Sequence, residues 1–160
     1  MTSWLWTLVN WCSTTALIVF VRDSKFGMPA VQSVHLVGIT VLLASVLVLA
    51  LRLAGLAMTD WPLPWLERQL KPWAVGALTL VVLSGTLIFV GTPAKYLASN
   101  PFRVKMALLG LAVLFHVAVV RRFLVMEPDA RPRRHFVVAA VSLSVWFLVG
   151  WAGRAIAFVP

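Results

Sequence analysis

Five long stretches of this chain contain no Lys, Arg, Asp or Glu, and they are residues 1–21, 26–51, 72–94, 106–120 and 136–153. Most of them approach the ~20 residues that a helix needs to cross a hydrocarbon core of roughly 30 Å. The chain as a whole is 61% hydrophobic and only 12% charged, with a mean hydropathy of +0.95. No soluble domain of 160 residues could bury so much apolar side chain in one core, so we expect the solvent to be lipid.

Helices are the secondary structure that this pattern predicts. Backbone amides in lipid must be paired within their own segment or in a closed barrel, and the alternation of a barrel strand is absent. Pro29 and Asn100-Pro101 are typical helix starts. The sequence therefore predicts an all-α fold, an integral membrane four-helix bundle that forms one domain over 1–160. Its spans are expected at about 29–58, 72–90, 101–126 and 135–158.

The first stretch differs from the other four because it carries a polar stripe. In a helix over 3–21, Ser3, Thr7, Asn10 and Thr14 fall on one stripe, and three tryptophans lie elsewhere. This pattern is typical of an amphipathic helix at the membrane interface. A short fifth span with its polar stripe facing neighbouring helices is the alternative. A basic start and a small-residue cleavage site are lacking, so we expect this stretch to be retained.

The formal charge of +9 would suggest nucleic acid in a soluble protein, but here the basic residues flank the apolar stretches. We expect them to anchor the chain in anionic lipid, with no nucleic-acid partner. We call side one the membrane side of residues 22–28, 91–103 and the C-terminus, and side two the opposite side. Side two has the larger number of Lys and Arg residues and the dense 121–134 loop, so it is predicted to be cytoplasmic.

Two histidines within the predicted spans are candidate metal ligands. His35 precedes Gly38 by one turn in the first span, and His116 lies deep in the third. Neutral imidazole is the usual axial ligand of haem iron, and glycine at i+3 leaves room for a flat macrocycle. However, His35 is expected roughly 12 Å to side one of the middle of its span and His116 roughly 4 Å to side two. The alternative is that each histidine hydrogen-bonds between helices.

A second candidate site is a polar layer near side one, formed by Gln32, His35, Lys105 and Arg154. A histidine, two cations and an amide at one depth can hold haem propionates, a quinone carbonyl or another anionic head group. The alternative is that Lys105 and Arg154 only extend to the lipid headgroups. No carboxylate falls within the predicted spans, which disfavours a proton pump.

Several motifs resemble a family of small bacterial membrane proteins known only as a domain of unknown function. They are Phe26-Gly27-Met28-Pro29 with His35-Leu36-Val37-Gly38, Leu51-Arg52-Leu53-Ala54-Gly55-Leu56, Asn100-Pro101-Phe102-Arg103-Val104-Lys105, Phe115-His116 and Gly153-Arg154-Ala155-Ile156-Ala157. The layout is similar to four-helix b-type cytochromes and the copper-resistance D membrane domain. The resemblance, over about 14–158, implies that His35, Lys105, His116 and Arg154 are the family's polar positions. It also implies a multi-pass protein of the bacterial inner membrane. Gln32 and Ala50 depart from the family, which often has acids there.

Three functions from different classes remain open. The leading hypothesis is a redox-associated, b-type cytochrome-like subunit that binds haem b or a quinone and takes part in electron transfer within a larger membrane complex. Its partners would be lipids and other membrane subunits. The alternative is a non-catalytic accessory subunit that packs against partner helices and lipid. The third function is a small-solute or metal-ion permease.

Overall fold

The fold, seen in a computed structural model, consists of helices joined by short turns and loops. The structure describes residues 7, 10–125, 132–156 and 158. The helices are α1 (Ala16–Asp23), α2 (Gly27–Leu53), α3 (Leu63–Gly91), α4 (Pro93–Ala98), α5 (Asn100–Phe115), a π-helical turn (His116–Val120), α6 (Arg121–Val125) and α7 (Pro132–Ala155). Four helical segments are long and apolar enough to cross a membrane: Gly27–Leu53, Leu63–Gly91, Asn100–Leu124 and Arg133–Ala155. The prediction of four long apolar helices is therefore confirmed.

The N-terminal segment does not form the single helix that was predicted over 3–21. Residues 10–13 are helical, the helix breaks at Thr14 and Thr15, and α1 follows. Three consecutive hydroxyls cause the break, because each donates to the carbonyl three residues earlier and so competes with helical hydrogen bonding; the donors are Ser13, Thr14 and Thr15. α1 packs on α2 and α3. Part of 3–21 lies outside the described residues, and its interfacial position stays a prediction.

α2 ends at Leu53, five residues before the predicted end at 58. Gly55 adopts a left-handed conformation with φ of 72°, which residues other than glycine rarely adopt. Its N–H donates to the carbonyl of Arg52, and the N–H of Leu56 donates to the carbonyl of Leu51. These two bonds are those of a Schellman cap, which satisfies the last carbonyls of the helix and ends it.

α3 begins at Leu63, nine residues before the predicted start at Pro72. Pro64 lies in the first turn, where the missing N–H costs nothing, and Pro72 lies inside the helix. The preceding loop is fixed by Arg52, whose Nε donates to the carbonyl of Trp61 over 2.8 Å. Because the helix begins at Leu63, it includes Glu67, which lay outside the span predicted from Pro72.

The four long helices do not pack equally on one another. α2 packs on α3 and on α7, and α7 packs on α5, whereas α3 and α5 lack close backbone packing. At side one, Phe89 of α3 stacks on Phe102 of α5 at 5.4 Å between ring centroids. At side two, α3 contacts α6. A gap therefore remains between α3 and α5 at the level of the membrane centre.

Two apolar clusters hold the bundle together. The cluster near side two is made of Leu49, Ala50, Leu53, Leu63, Leu66, Val120, Leu124 and Ala139. The central cluster is made of Leu42, Val46, Ala77, Ala112, Trp146 and Val149. The central cluster borders the gap between α3 and α5, so the gap has an ordered apolar wall.

Candidate functional site

The third span changes its helical geometry at His116. The α-helical α5 ends at Phe115, and five residues from His116 to Val120 form a π-helical turn before α6 continues the span. A π-helical turn is less stable than the α-helix around it and is found frequently at functional sites. It therefore marks the surroundings of His116 as the first place to look for a ligand.

His116 lines a cavity of about 170 Å³ in the gap between α3 and α5. Every long span contributes to the lining, which consists of Leu42, Val46, Leu49, Glu67, Lys71, Ala74, Val75, Leu78, Val113, His116, Val117, Arg121 and Trp146. Val75 and Val117 on the two sides of the gap are 55% and 53% exposed. The cavity therefore reaches the outer surface of the bundle.

Two ring nitrogens at this cavity lack hydrogen-bond partners. Among the described residues, three buried side-chain atoms are unpartnered: Ser99 Oγ, His116 Nδ1 and Trp146 Nε1. The last two belong to residues that line the cavity. A buried polar group without a partner costs about 1–3 kcal/mol. Both nitrogens are fully buried, so a ligand or water in the cavity reaches them only when the two rings turn toward it.

Charged side chains line the cavity on its side-two part. Glu67 and Lys71 extend from the beginning of α3, and Arg121 begins α6. Glu67 and Arg121 both act electrostatically on His116. Within the described part of the chain the only ion pair joins Arg22 to Asp23, so these three charges are not paired with one another. The cavity thus combines an apolar body with a charged side.

His35 is held in a different place, between α2 and α3. Its Nδ1 lies 2.9 Å from Ser84 Oγ. The single hydroxyl hydrogen of Ser84 is donated to the carbonyl of Leu80, so Nδ1 of His35 must carry the proton and donate to the serine oxygen. The neutral ring then has its lone pair on Nε2. This interhelical hydrogen bond is the alternative role that the sequence left open for His35.

The space beside Gly38 is not available to a macrocycle. A Cβ at Gly38 would lie 2.9 Å from Cγ2 of Val81 and 3.4 Å from the carbonyl oxygen of Ala77. Gly38 therefore serves the close approach of α3 to α2, and the expectation that it leaves room for haem is wrong. The residue that faces the His35 ring is Gly85 of α3, where a Cβ would lie 3.2 Å from Cε1.

His35 and His116 are not brought to one site. His116 shares its cavity with Leu42, Val46 and Leu49 of α2, which follow His35 by seven to fourteen residues. At about 1.5 Å per residue, this places the two histidines roughly 10–20 Å apart along the helix axis. One iron cannot be bound by both residues in this arrangement.

The polar layer predicted near side one assembles only in part. Lys105 acts electrostatically on His35, and its ammonium lies where a side chain on Gly153 would be, 3.2 Å from the Cβ position. Gln32 is exposed. Arg154 is also exposed, with its guanidinium 5.2 Å from the ring centroid of Phe158. Ligand binding by the layer stays a prediction that rests on His35 and Lys105.

The cavity contains residues that the sequence did not single out, namely Trp146, Glu67, Lys71 and Arg121. The sequence did contain an indication for Trp146. Tryptophan prefers the membrane interface, whereas this residue lies in the middle of a span. Glu67 and Lys71 were missed because α3 was predicted to begin at Pro72.

Comparison with known proteins gives one family match. A family model described as a family of unknown function, DUF6644, matches residues 8–159. No curated protein and no solved structure matches the chain.

Proposed function

This chain belongs to the family of unknown function DUF6644, and we propose that it is a redox-associated membrane subunit that binds a quinone. The quinone ring occupies the cavity beside His116. The observation that carries the proposal is that His116 and Trp146, each with a buried nitrogen that lacks a hydrogen-bond partner, line one cavity that opens at the surface of the bundle. An uncharged ring with carbonyl groups would satisfy both nitrogens once the two side chains turn toward it.

The hydrogen-bonding capacity of the two residues favours carbonyl oxygens. Indole Nε1 can only donate, so its partner must be an acceptor. Imidazole can donate from one nitrogen or accept at it, and it can therefore serve both a quinone oxygen and the hydroxyl of a reduced quinol. A quinone oxygen accepts hydrogen bonds, whereas the hydroxyl of a quinol also donates one. A histidine and a tryptophan therefore suit both forms of the ligand better than two side chains that can only donate.

The size of the cavity also favours a single ring. A cavity of roughly 150 Å³ holds benzene, and this one measures about 170 Å³. Its walls are mainly aliphatic side chains of α2 and α3. A quinone could place its ring inside and extend its isoprenoid tail through the gap between Val75 and Val117 into lipid.

Haem b fits the described residues less well. The porphyrin macrocycle is several times larger than the cavity, and His35 lies too far along α2 to provide a second axial ligand. We therefore place the quinone first among the two cofactors that the sequence suggested.

Electron transfer requires a partner. Reduction of a quinone takes two electrons and two protons, and the electrons would come from a redox centre of another membrane subunit. The protons can come from the cytoplasm by way of Glu67 and His116, if side two is cytoplasmic as its basic residues indicate. On this proposal the chain is a multi-pass protein of the bacterial inner membrane.

The identity of the ligand can be tested by extraction. The protein is purified from bacterial membranes, and the organic-solvent extract and the visible spectrum are compared for the wild type, His116→Ala and His35→Ala. We expect a near-stoichiometric quinone from the wild type and from His35→Ala, and loss of it from His116→Ala. A Soret band that is present in the wild type and absent from His116→Ala would show that the ligand is haem and not a quinone. Equal extracts from all three proteins would leave the accessory-subunit function.

A further inference from the structure

A half-buried cation, Lys105, lies far from the His116 cavity, near side one. Lys105 lies about one and a half turns from the start of α5. It is half-buried where α5 packs on α7. A Cβ at Gly153 of α7 would lie 3.2, 3.3 and 3.5 Å from Nζ, Cε and Cδ of Lys105. The absence of a side chain at Gly153 thus creates the groove that holds the end of Lys105.

This ammonium has no counter-ion in the described part of the chain. The one ion pair there is Arg22 with Asp23, and Lys105 takes part in none of the hydrogen bonds between side chains and backbone or other side chains. Lys105 acts electrostatically on His35, which is not an anion. A cation inside a helix bundle in a membrane is costly unless an anion accompanies it.

The ammonium lies near the side-one ends of α5 and α7. Lys105 is five residues from the start of α5, or roughly 8 Å along the axis, whereas Gly153 is two residues from the end of α7, or roughly 3 Å. The side chain therefore extends from the hydrocarbon region toward side one. The next residue of α7 is Arg154, an exposed second cation, and the acid on this side, Asp23, is already paired.

We propose that Lys105, in its groove against Gly153, binds the phosphate group of a phospholipid in the side-one leaflet. A lysine ammonium is a common ligand of phosphate, with three N–H donors for its oxygens. This site is separate from the quinone cavity and does not depend on the proposed function.

Native mass spectrometry of the detergent-solubilised protein tests the proposal. We compare retention of phosphatidylglycerol and of a diacylglycerol with the same acyl chains in the wild type, Lys105→Gln and Lys95→Gln. Lys95 is the matched control because it is an exposed cation on the same side. We expect one tightly retained phosphatidylglycerol in the wild type and in Lys95→Gln, at least about tenfold less in Lys105→Gln, and no comparable retention of diacylglycerol.

Two results would overturn the proposal. Equal retention of phosphatidylglycerol by the wild type and Lys105→Gln would mean that Lys105 is not a lipid ligand. Displacement of the lipid by inorganic phosphate at millimolar concentration, with phosphate alone raising the melting temperature of the wild type but not of Lys105→Gln, would assign the site to a free anion. Melting temperatures without added ligand show whether Lys105→Gln is folded.

Discussion

His116 and Trp146 line one cavity from two different spans, and each has a buried ring nitrogen without a hydrogen-bond partner. In a lipid environment such groups lower the stability of the free protein, and their retention is understandable if a ligand completes them. The two unpartnered nitrogens therefore bear both on ligand binding and on the stability of the free protein.

Replacement of His116 by leucine should stabilise the protein that lacks ligand. The substitution removes an unpartnered imidazole, so we expect the free energy of unfolding to rise by about 1 kcal/mol or more. His35→Leu is the matched control, and it should lower the free energy by about 1 kcal/mol because the bond to Ser84 is lost. Thermal unfolding in detergent measures both. Equal destabilisation by the two substitutions would show that His116 has a structural role.

Gly38→Ala should destabilise the packing of α2 against α3. The new Cβ would lie 2.9 Å from Val81 Cγ2, and a β-branched side chain has little freedom to move away. We expect a loss of about 1–3 kcal/mol, partly restored by Val81→Ala. Gly76→Ala on α3 is the control, since no atom lies within 4 Å of its Cβ position. If Gly38→Ala left the free energy of unfolding unchanged, α2 and α3 would have to be farther apart than they are in the structure.

Tyr96 should titrate above the usual range of tyrosine. Burial of its ring raises the pKa of the hydroxyl, and a hydrogen bond from Thr92 opposes this in part. Because the chain has a single tyrosine, ultraviolet titration reports on Tyr96 alone. The folded protein holds this proton more tightly than the unfolded chain, so the contribution to stability is complete below about pH 10 and falls as the pH rises through the raised value. Phe102→Ala, which removes a ring 5.4 Å away, should lower the pKa toward normal, and a normal pKa in the wild type would contradict the buried position.

The topology can be tested with single cysteines. In a Cys12→Ser background, Asp60→Cys lies in the loop before α3 and Lys95→Cys lies in α4, at opposite ends of the second span, and both positions are exposed. In right-side-out vesicles, a membrane-impermeant maleimide should label Lys95→Cys, and Asp60→Cys only after permeabilisation. The reverse pattern would invert the orientation. Labelling of both from one side would contradict the four spans.

The long helices were predictable because each contains a stretch without charges that approaches the length a membrane span needs. Their ends were less so: Pro64 and Pro72 are both compatible with a first helical turn, and the structure uses Pro64. The three consecutive hydroxyl residues from Ser13 to Thr15 indicated a helix break in the sequence. Their hydrogen bonds to backbone carbonyls explain the break in the structure.

The cavity was not predictable from the sequence. It exists because α3 contacts the third span only near its two ends, at α5 on side one and at α6 on side two. This separation is a property of how the spans pack. Sequence spacing placed Lys105 and Arg154 at one depth, but only the structure shows that the first is half-buried and the second is exposed.

The most direct test of the quinone site is the affinity of a short-chain quinone for the protein in lipid nanodiscs, measured by calorimetry. We compare the wild type, His116→Leu, Trp146→Phe, the double variant, and His35→Leu as the control. The wild type and His35→Leu should bind saturably with similar affinity, and His116→Leu should bind about tenfold or more weakly, which corresponds to about 1.4 kcal/mol. The two cavity substitutions should be coupled, because both residues contact one ligand. Saturable binding of equal affinity in all five proteins, or none in the wild type beyond that of empty nanodiscs, would contradict the account.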